Sequence, residues 1–137
     1  MHGMKRKLLI ISMVCNIGFL ASCAKTGSIH ANRAIIPPPT FITEGTASWY
    51  GKQFHGRKTA SGERFNTYAL TCAHRTLPFG TRLKVINVNN GRETIVIVND
   101  RGPFIRSRVL DVSLAAAEEL QFIGQGTALV RIERMND

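Results

Sequence analysis

The sequence predicts an all-β domain, most simply a compact barrel with minor helices. From Gly45 to Arg134, short runs of β-favouring residues alternate with glycines. Only one segment has a clear amphipathic helical pattern, and no repeat recurs at a fixed period. About six short strands with one helix of two to three turns are typical of a small closed β architecture.

Five segments carry the strand prediction. They are residues 46–50, 81–88, 94–99, 108–112 and 127–134. Asn90 and Gly91, between the second and third segments, tolerate the positive φ of a tight turn, so these two strands should form a hairpin. Residues 94–98 are apolar at nearly every position, which predicts a core strand buried on both faces or crossing the barrel interior.

The helical prediction falls on the residues after Ser113. Its hydroxyl can cap a helix running from Leu114 to Leu120, and Gly124 is available near the end. A second, short helical turn is predicted over residues 68–74. The pattern does not set the topology that joins these elements.

The first 22 residues have the layout of an export signal. Three basic residues, 5–7, precede an apolar run over 8–20, which is shorter than the roughly 20 residues of a membrane span. Residues 20–23 (LASC) resemble a lipobox, so Cys23 should become the lipidated first residue of the mature chain. Ala24 in second place implies the periplasmic face of an outer membrane. An ordinary signal peptide and a buried N-terminal helix are the alternatives.

Residues 23–44 are predicted to form a tether and residues 45–135 the single folded domain. The tether lacks apolar periodicity, and its three consecutive prolines, 37–39, exclude a regular helix. Extended at about 3.1 Å per residue, it would reach about 60 Å from the membrane anchor.

The net charge limits which binding partners are expected, and the cysteine content limits which disulfides are expected. The chain has a net charge of +9, and removing residues 5–7 with the leader leaves it basic. A basic exported domain favours anionic envelope polymers such as peptidoglycan, and we expect no nucleic-acid partner. Once Cys15 leaves with the leader and Cys23 is acylated, Cys72 has no partner for an intramolecular disulfide.

Four segments together resemble the rare lipoprotein A (RlpA) family. They are residues 45–51 (GTASWYG), 59–65 (TASGERF), 73–81 (AHRTLPFGT) and 99–104 (NDRGPF), in the family's order and with similar spacing. The resemblance extends from Gly45 to about Arg134. It implies a six-stranded double-psi β-barrel of the barwin and expansin type. We expect a short form of the family, without the C-terminal SPOR domain that many relatives carry.

The resemblance also implies an activity. Active members are lytic transglycosylases that cleave peptidoglycan glycan strands lacking stem peptides, between N-acetylmuramic acid and N-acetylglucosamine. The products end in a 1,6-anhydro sugar, and no water is consumed and no cofactor is needed. Carried onto this sequence, the family's active site falls on Glu63, His74 and Asp100.

Of these three residues, Asp100 is the expected acid and base. One carboxylic acid has to protonate the glycosidic oxygen and then, as a carboxylate, take the proton of the C6 hydroxyl. Asp100 lies between the buried run and the turn at residues 101–103, which should combine rigidity with access. His74 would orient it or bind the sugar, and Glu63 would tune it or position substrate. The plain alternatives are a surface turn or a salt bridge with Arg101 for Asp100, packing at a helix end for His74, and a solvated side chain for Glu63.

Trp49, Tyr50 and Phe79 are candidate sugar-stacking residues, because the C–H groups of sugar rings pack well on aromatic faces. Arg101 is a further candidate for substrate binding. Core packing is the alternative for each aromatic residue.

No metal site is expected, because no closely spaced ligand pair occurs. Cys72 is predicted to be an interior residue rather than a nucleophile, and Asp111 to satisfy backbone donors at the start of the helix.

A non-catalytic glycan-binding module of the expansin type is the second functional hypothesis. A hydrolase, which needs two carboxyls flanking the bond, is the third.

Overall fold

The computed structural model describes residues 36–136. The predicted leader, Cys23 and most of the predicted tether lie outside these residues. The elements are β1 (Thr40–Trp49), a 3-10 turn (Lys52–Phe54), β2 (Thr71–Ala73), β3 (Arg82–Asn87), β4 (Glu93–Asp100), β5 (Arg108–Val112), α1 (Leu114–Glu119) and β6 (Thr127–Arg134). Within this described part, no helix is long and apolar enough to cross a membrane.

The six strands close into a barrel in the order β1-β5-β2-β4-β3-β6, with β6 returning to β1. Two neighbouring pairs, β1 with β5 and β2 with β4, are parallel, and the other four are antiparallel. Closure leaves no free strand edge. The predicted all-β class and six-stranded double-psi barrel are confirmed.

The predicted hairpin is also confirmed. Strands β3 and β4 are antiparallel, with Lys84 opposite Ile95, and the chain reverses between Asn87 and Arg92. Gly91 has a φ of +73°, the conformation for which a glycine was expected there. Because turn and strands are adjacent in sequence, local chemistry alone specifies this unit.

The second helical turn, predicted over residues 68–74, is wrong. Thr71–Ala73 forms β2, which pairs with β4 on one side and β5 on the other. These three residues take the extended conformation because their backbone donors and acceptors are satisfied by two strands far away in sequence. The only turn in this stretch precedes the strand, where the Ala69 N–H donates to the Asn66 carbonyl.

The first strand begins earlier than predicted. Strand β1 begins at Thr40, inside the segment assigned to the tether, rather than at residue 46. Its first residues pair with β6, so that Thr40 lies opposite Arg134 and Phe41 opposite Glu133. Strand β1 extends past the predicted boundary because its first residues pair with β6, not because they have apolar periodicity.

Of the two alternatives predicted for β4, the structure shows a strand with one face in the barrel interior, not one buried on both faces. Val96 and Val98 are fully buried, whereas Ile97 between them is 44% exposed. The same alternation in β3 and β6 places Leu83, Val85, Val130 and Ile132 in the barrel interior. Each such side chain contributes about 1.5–3 kcal/mol on burial, so the stability resides in this interior layer.

Two smaller predictions are confirmed. Ser113 caps α1, because its side chain accepts a hydrogen bond from the Ala116 N–H at 3.3 Å. Cys72 is fully buried in the core cluster, and burial raises the pKa of its thiol well above the ordinary value. A buried, protonated thiol is a poor nucleophile, so Cys72 acts as a small apolar residue.

Candidate active site

Asp100 ends β4 at one rim of the barrel. One carboxylate oxygen, Oδ1, accepts hydrogen bonds from the backbone N–H groups of Ala60 at 2.9 Å and Arg101 at 2.8 Å. The carboxyl group is therefore fixed in orientation by the backbone.

A cavity of about 120 Å³ opens beside this carboxylate. We call it the Asp100 pocket; its walls are Tyr50, Phe54, Arg57, Lys58, Thr59, Phe65 and Asp100. Aromatic rings form one part of the wall and two cations another, and Asp100 is its only acidic member. Apolar faces with a few polar groups suit a carbohydrate, whose rings present both C–H groups and hydroxyls.

Tyr50 connects the pocket to the barrel interior. Its ring packs edge-on against Phe65, with centroids 5.1 Å apart, and is tilted against Phe54 at 6.1 Å. Its hydroxyl is buried and has no partner of good hydrogen-bond geometry within the described residues. Burial raises the pKa of Tyr50, and the nearby carboxylates of Asp100 and Asp111 raise it further. The phenol is therefore a neutral donor at any physiological pH.

His74 is joined to Asp100 through the backbone, since the His74 N–H donates to the Asp100 carbonyl at 3.2 Å. Its imidazole Nδ1 accepts from the backbone N–H groups of Thr76 and Leu77 at 3.2 and 3.1 Å. Burial lowers the pKa of His74, and the Arg101 and Arg75 cations lower it further. The ring is thus a neutral acceptor that holds the turn at residues 74–77, and it lines a different cavity from Asp100.

Glu63 lies near Asp100 but does not contact it through a hydrogen bond. Its Oε2 accepts from the Asn99 amide at 3.3 Å, and Asn99 directly precedes Asp100. The turn that carries Glu63 is itself held to β4, because the Ser61 N–H donates to the Asn99 carbonyl. The structure therefore gathers Glu63, His74 and Asp100 at one end of β4, each with its own partners.

The four predicted substrate contacts have different surroundings. The Arg101 guanidinium stacks over the Phe79 ring at 3.9 Å and donates to the carbonyls of His74 and Leu77. Phe79 is 42% exposed. Tyr50 lines the Asp100 pocket, whereas Trp49 packs against the hydrophobic core. Arg101 thus fastens the loop at residues 74–79 to the end of β4.

Asp111 lies across β2 from Asp100, because Ala73 pairs with both. It accepts a hydrogen bond from the Ser48 hydroxyl at 2.7 Å and forms an ion pair with Arg108 at 3.1 Å. The predicted role of Asp111 at backbone donors of the helix start is not observed, since Ser113 caps the helix. The carboxylate instead neutralises a partly buried guanidinium.

Sequence reasoning missed the cations and part of the aromatic wall. Arg57, Lys58 and Phe65 were not proposed as site residues, although all three line the Asp100 pocket. The Arg57 guanidinium lies 5.5 Å from the centre of the Phe54 ring. A usable sign was the group of basic and aromatic residues at 52–58, directly before the 59–65 segment. In the described part of the chain, no three His, Cys, Asp or Glu residues form a metal-binding group.

Known proteins similar to this chain agree on one family. A family model described as lytic transglycolase matches residues 42–132. A Neisseria meningitidis protein named endolytic peptidoglycan transglycosylase RlpA is 55% identical over 95 residues, covering 69% of this chain and 40% of that protein. The Campylobacter jejuni protein of the same name is 56% identical, covering 66% and 33%. The Vibrio cholerae one is 50% identical, covering 74% and 38%. The chain spans at most 40% of the length of these three relatives.

Solved structures share the fold at low identity. A mutant Clavibacter michiganensis expansin in complex with cellohexaose superposes with a TM-score of 0.57 at 18% identity, covering 69% of this chain and 50% of that one. The Streptomyces papain inhibitor gives a TM-score of 0.54 at 20% identity, covering 74% and 97%. These similarities concern the barrel architecture alone.

Proposed function

This chain belongs to the RlpA family of double-psi β-barrel proteins, and on that premise we propose that it is an endolytic peptidoglycan lytic transglycosylase. Its substrate would be glycan strands lacking stem peptides, cleaved between N-acetylmuramic acid and N-acetylglucosamine with formation of a 1,6-anhydro end. The curated relatives are much longer than this chain. The proposal therefore rests on the site within residues 36–136 and not on those relatives' activity.

The observation that carries the proposal is the fixed orientation of the Asp100 carboxyl group. Two backbone N–H groups hold Oδ1, from Ala60 and Arg101, and the carboxyl borders a pocket with aromatic and cationic walls. A general acid has to reach the leaving oxygen with its geometry set in advance. A carboxyl fixed through Oδ1 at the edge of a pocket meets this requirement.

The chemistry needs one carboxyl in two successive states. As an acid, Asp100 donates its proton to the glycosidic oxygen, and the bond from that oxygen to C1 of N-acetylmuramic acid breaks. As a carboxylate, it then accepts the proton of the C6 hydroxyl while O6 bonds to C1. The proton count balances, no water is consumed, and Asp100 returns to its protonated form.

The neighbouring residues support Asp100 in this scheme. Tyr50 presents a neutral hydroxyl near the carboxylate. His74 acts as a positioning residue, because its Nδ1 holds the turn whose Leu77 carbonyl binds Arg101. Glu63 orders Asn99, immediately before Asp100. Sugar contacts would come from the rings of Tyr50, Phe54 and Phe79.

The decisive experiment is product analysis. The whole 137-residue chain and its Asp100→Asn variant are incubated with purified peptide-free glycan strands, and released fragments are identified by mass spectrometry. We expect 1,6-anhydro ends from the parent and none from the variant. Reducing ends would identify a hydrolase instead, and the absence of fragments from both proteins would contradict the proposal.

A non-catalytic glycan-binding module is the second candidate. It is favoured by the composition of the Asp100 pocket, whose aromatic and cationic walls suit binding whether or not cleavage follows. A classical hydrolase is less well supported, since a second carboxylate is missing from the walls of this pocket. Retained glycan binding without fragments would select the binding module.

The anchor is a separate proposal. We propose that Cys23 is lipidated and holds the domain at the periplasmic face of the outer membrane, on the basis of the lipobox-like residues 20–23. Replacing Cys23 with Ser should release the protein from the membrane fraction of cells. Unchanged membrane association of the Cys23→Ser variant would contradict the anchor.

A further inference from the structure

The loop after Asp100 ends in an exposed aromatic residue. Phe104 is 89% exposed and its neighbour Ile105 is 51% exposed. A single exposed apolar residue is common on protein surfaces. Phe104 differs from such residues because the loop that carries it is held in place by several hydrogen bonds.

Arg75 supplies most of this support. Its Nε donates to the Pro103 carbonyl at 2.9 Å, and its Nη2 donates to the carbonyls of Ile105 at 2.8 Å and Arg108 at 2.6 Å. The Arg108 N–H also donates to the Ile105 carbonyl. One guanidinium thus fixes the backbone on both sides of Phe104, which lowers the entropy lost when a ligand packs on the ring.

The ring itself lies over Gly102. A Cβ atom at position 102 would be 3.6 Å from Cε2 of Phe104, 3.8 Å from Cδ2, and 3.8 Å from the Cβ of Ala73. Ala73 pairs with Asp100. Phe104 is therefore connected to the acid through a short, well-packed stretch of chain, with its outer face open to solvent.

We propose that Phe104 is a sugar-binding subsite for the glycan strand, outside the Asp100 pocket. The ligand is a pyranose ring whose C–H face stacks on the phenyl ring. This inference rests on the proposed function, because an endolytic enzyme has to bind sugar residues on both sides of the cleaved bond. A protein partner fits less well, since the apolar tip is far smaller than a stable interface of about 1,200 Å² or more.

The test measures binding without cleavage. Asp100→Asn protein is titrated calorimetrically with soluble peptide-free glycan oligomers, alone and with Phe104→Ala, Phe104→Leu or Phe104→Trp added. We expect Phe104→Ala and Phe104→Leu to weaken binding about five- to tenfold, and Phe104→Trp to bind as well as the parent. Phe41→Ala is the matched control, because Phe41 is 59% exposed on β1, and it should bind normally.

Each outcome decides between the two proposals. The subsite is overturned if Phe104→Ala binds glycan as tightly as the Asp100→Asn reference, or if Phe41→Ala loses as much affinity as Phe104→Ala. It is also overturned if the Asp100→Asn reference binds no glycan. If binding depends on Phe104 while the parent with intact Asp100 releases no anhydro products, the subsite holds and the lyase fails. If anhydro products form while Phe104→Ala binds and cleaves normally, the lyase holds and the subsite fails.

Discussion

Two aspartates flank Ala73 at the same end of the barrel, yet their surroundings differ. Asp111 is buried, with Ser48 donating to one oxygen and Arg108 compensating its charge. Asp100 has no cation in ion-pair contact within the described residues, and two backbone N–H groups hold a single oxygen. The difference shows that neighbouring groups, rather than strand position, separate a carboxylate in an ion pair from one that borders a pocket.

The largest expected effect is the loss of cleavage in Asp100→Asn. The amide oxygen can still accept the Ala60 and Arg101 N–H groups, so the local fold should survive. Removing a general acid and base lowers turnover by about 10²–10⁴-fold, measured as the rate of anhydro-product release. The free energy of unfolding should change by less than about 1 kcal/mol. A large drop in stability would assign Asp100 a structural role.

Asp111→Asn should show the opposite balance. It leaves the Arg108 guanidinium, only 25% exposed, without a compensating charge. We expect the free energy of unfolding to fall by about 2–3 kcal/mol, measured by urea titration with the fluorescence of Trp49, the single tryptophan. The paired variant Asp111→Leu with Arg108→Met should recover part of the loss. Unchanged stability of Asp111→Asn would contradict the structural role of Asp111.

Tyr50→Phe tests which carboxylate the phenol hydroxyl supports, because this hydroxyl lies near both Asp100 and Asp111. If the Tyr50 hydroxyl supports Asp100, turnover of the variant should fall about three- to tenfold with KM unchanged. If it serves Asp111, stability should fall and turnover should not. We expect the first result, and Tyr68→Phe, at a residue that is 69% exposed, should alter neither quantity.

The smallest expected effect is a pH dependence of stability from His74. Its pKa in the folded state lies below the ordinary value of 6.5, so the unfolded chain binds the proton more tightly. Stability from this group is complete above about pH 6.5 and declines as the pH falls below it. Urea titrations at several pH values should show a shallower decline in His74→Asn. An equal decline in the variant would remove His74 as the cause.

What the sequence predicts well is local. The β3–β4 hairpin follows from Asn90-Gly91 and two adjacent apolar runs, and the cap of α1 follows from Ser113 alone. Strand β2 was missed because Thr71–Ala73 owes its conformation to β4 and β5. The extension of β1 to Thr40 likewise depends on β6, almost a hundred residues later in the chain.

The site shows the same limit. The family resemblance selected Glu63, His74 and Asp100, and all three lie around the end of β4. A structural role was expected for Asp111, but its partner Ser48 could not be predicted, since the two residues are 63 positions apart. The orientation of His74 was equally hidden, because its Nδ1 is engaged by the N–H groups of the turn at residues 74–77.

The most direct test of the central claim compares the two aspartates in one assay. Anhydro-product release is measured for Asp100→Asn and Asp111→Asn at a temperature where both are folded, and each rate is divided by the folded fraction from the urea titrations. We predict that Asp100→Asn is slower than the parent by about 10²–10⁴-fold, whereas Asp111→Asn keeps a rate within about tenfold of the parent. A parent-like rate in Asp100→Asn, with a large loss in folded Asp111→Asn, would contradict this assignment and make Asp111 the acid.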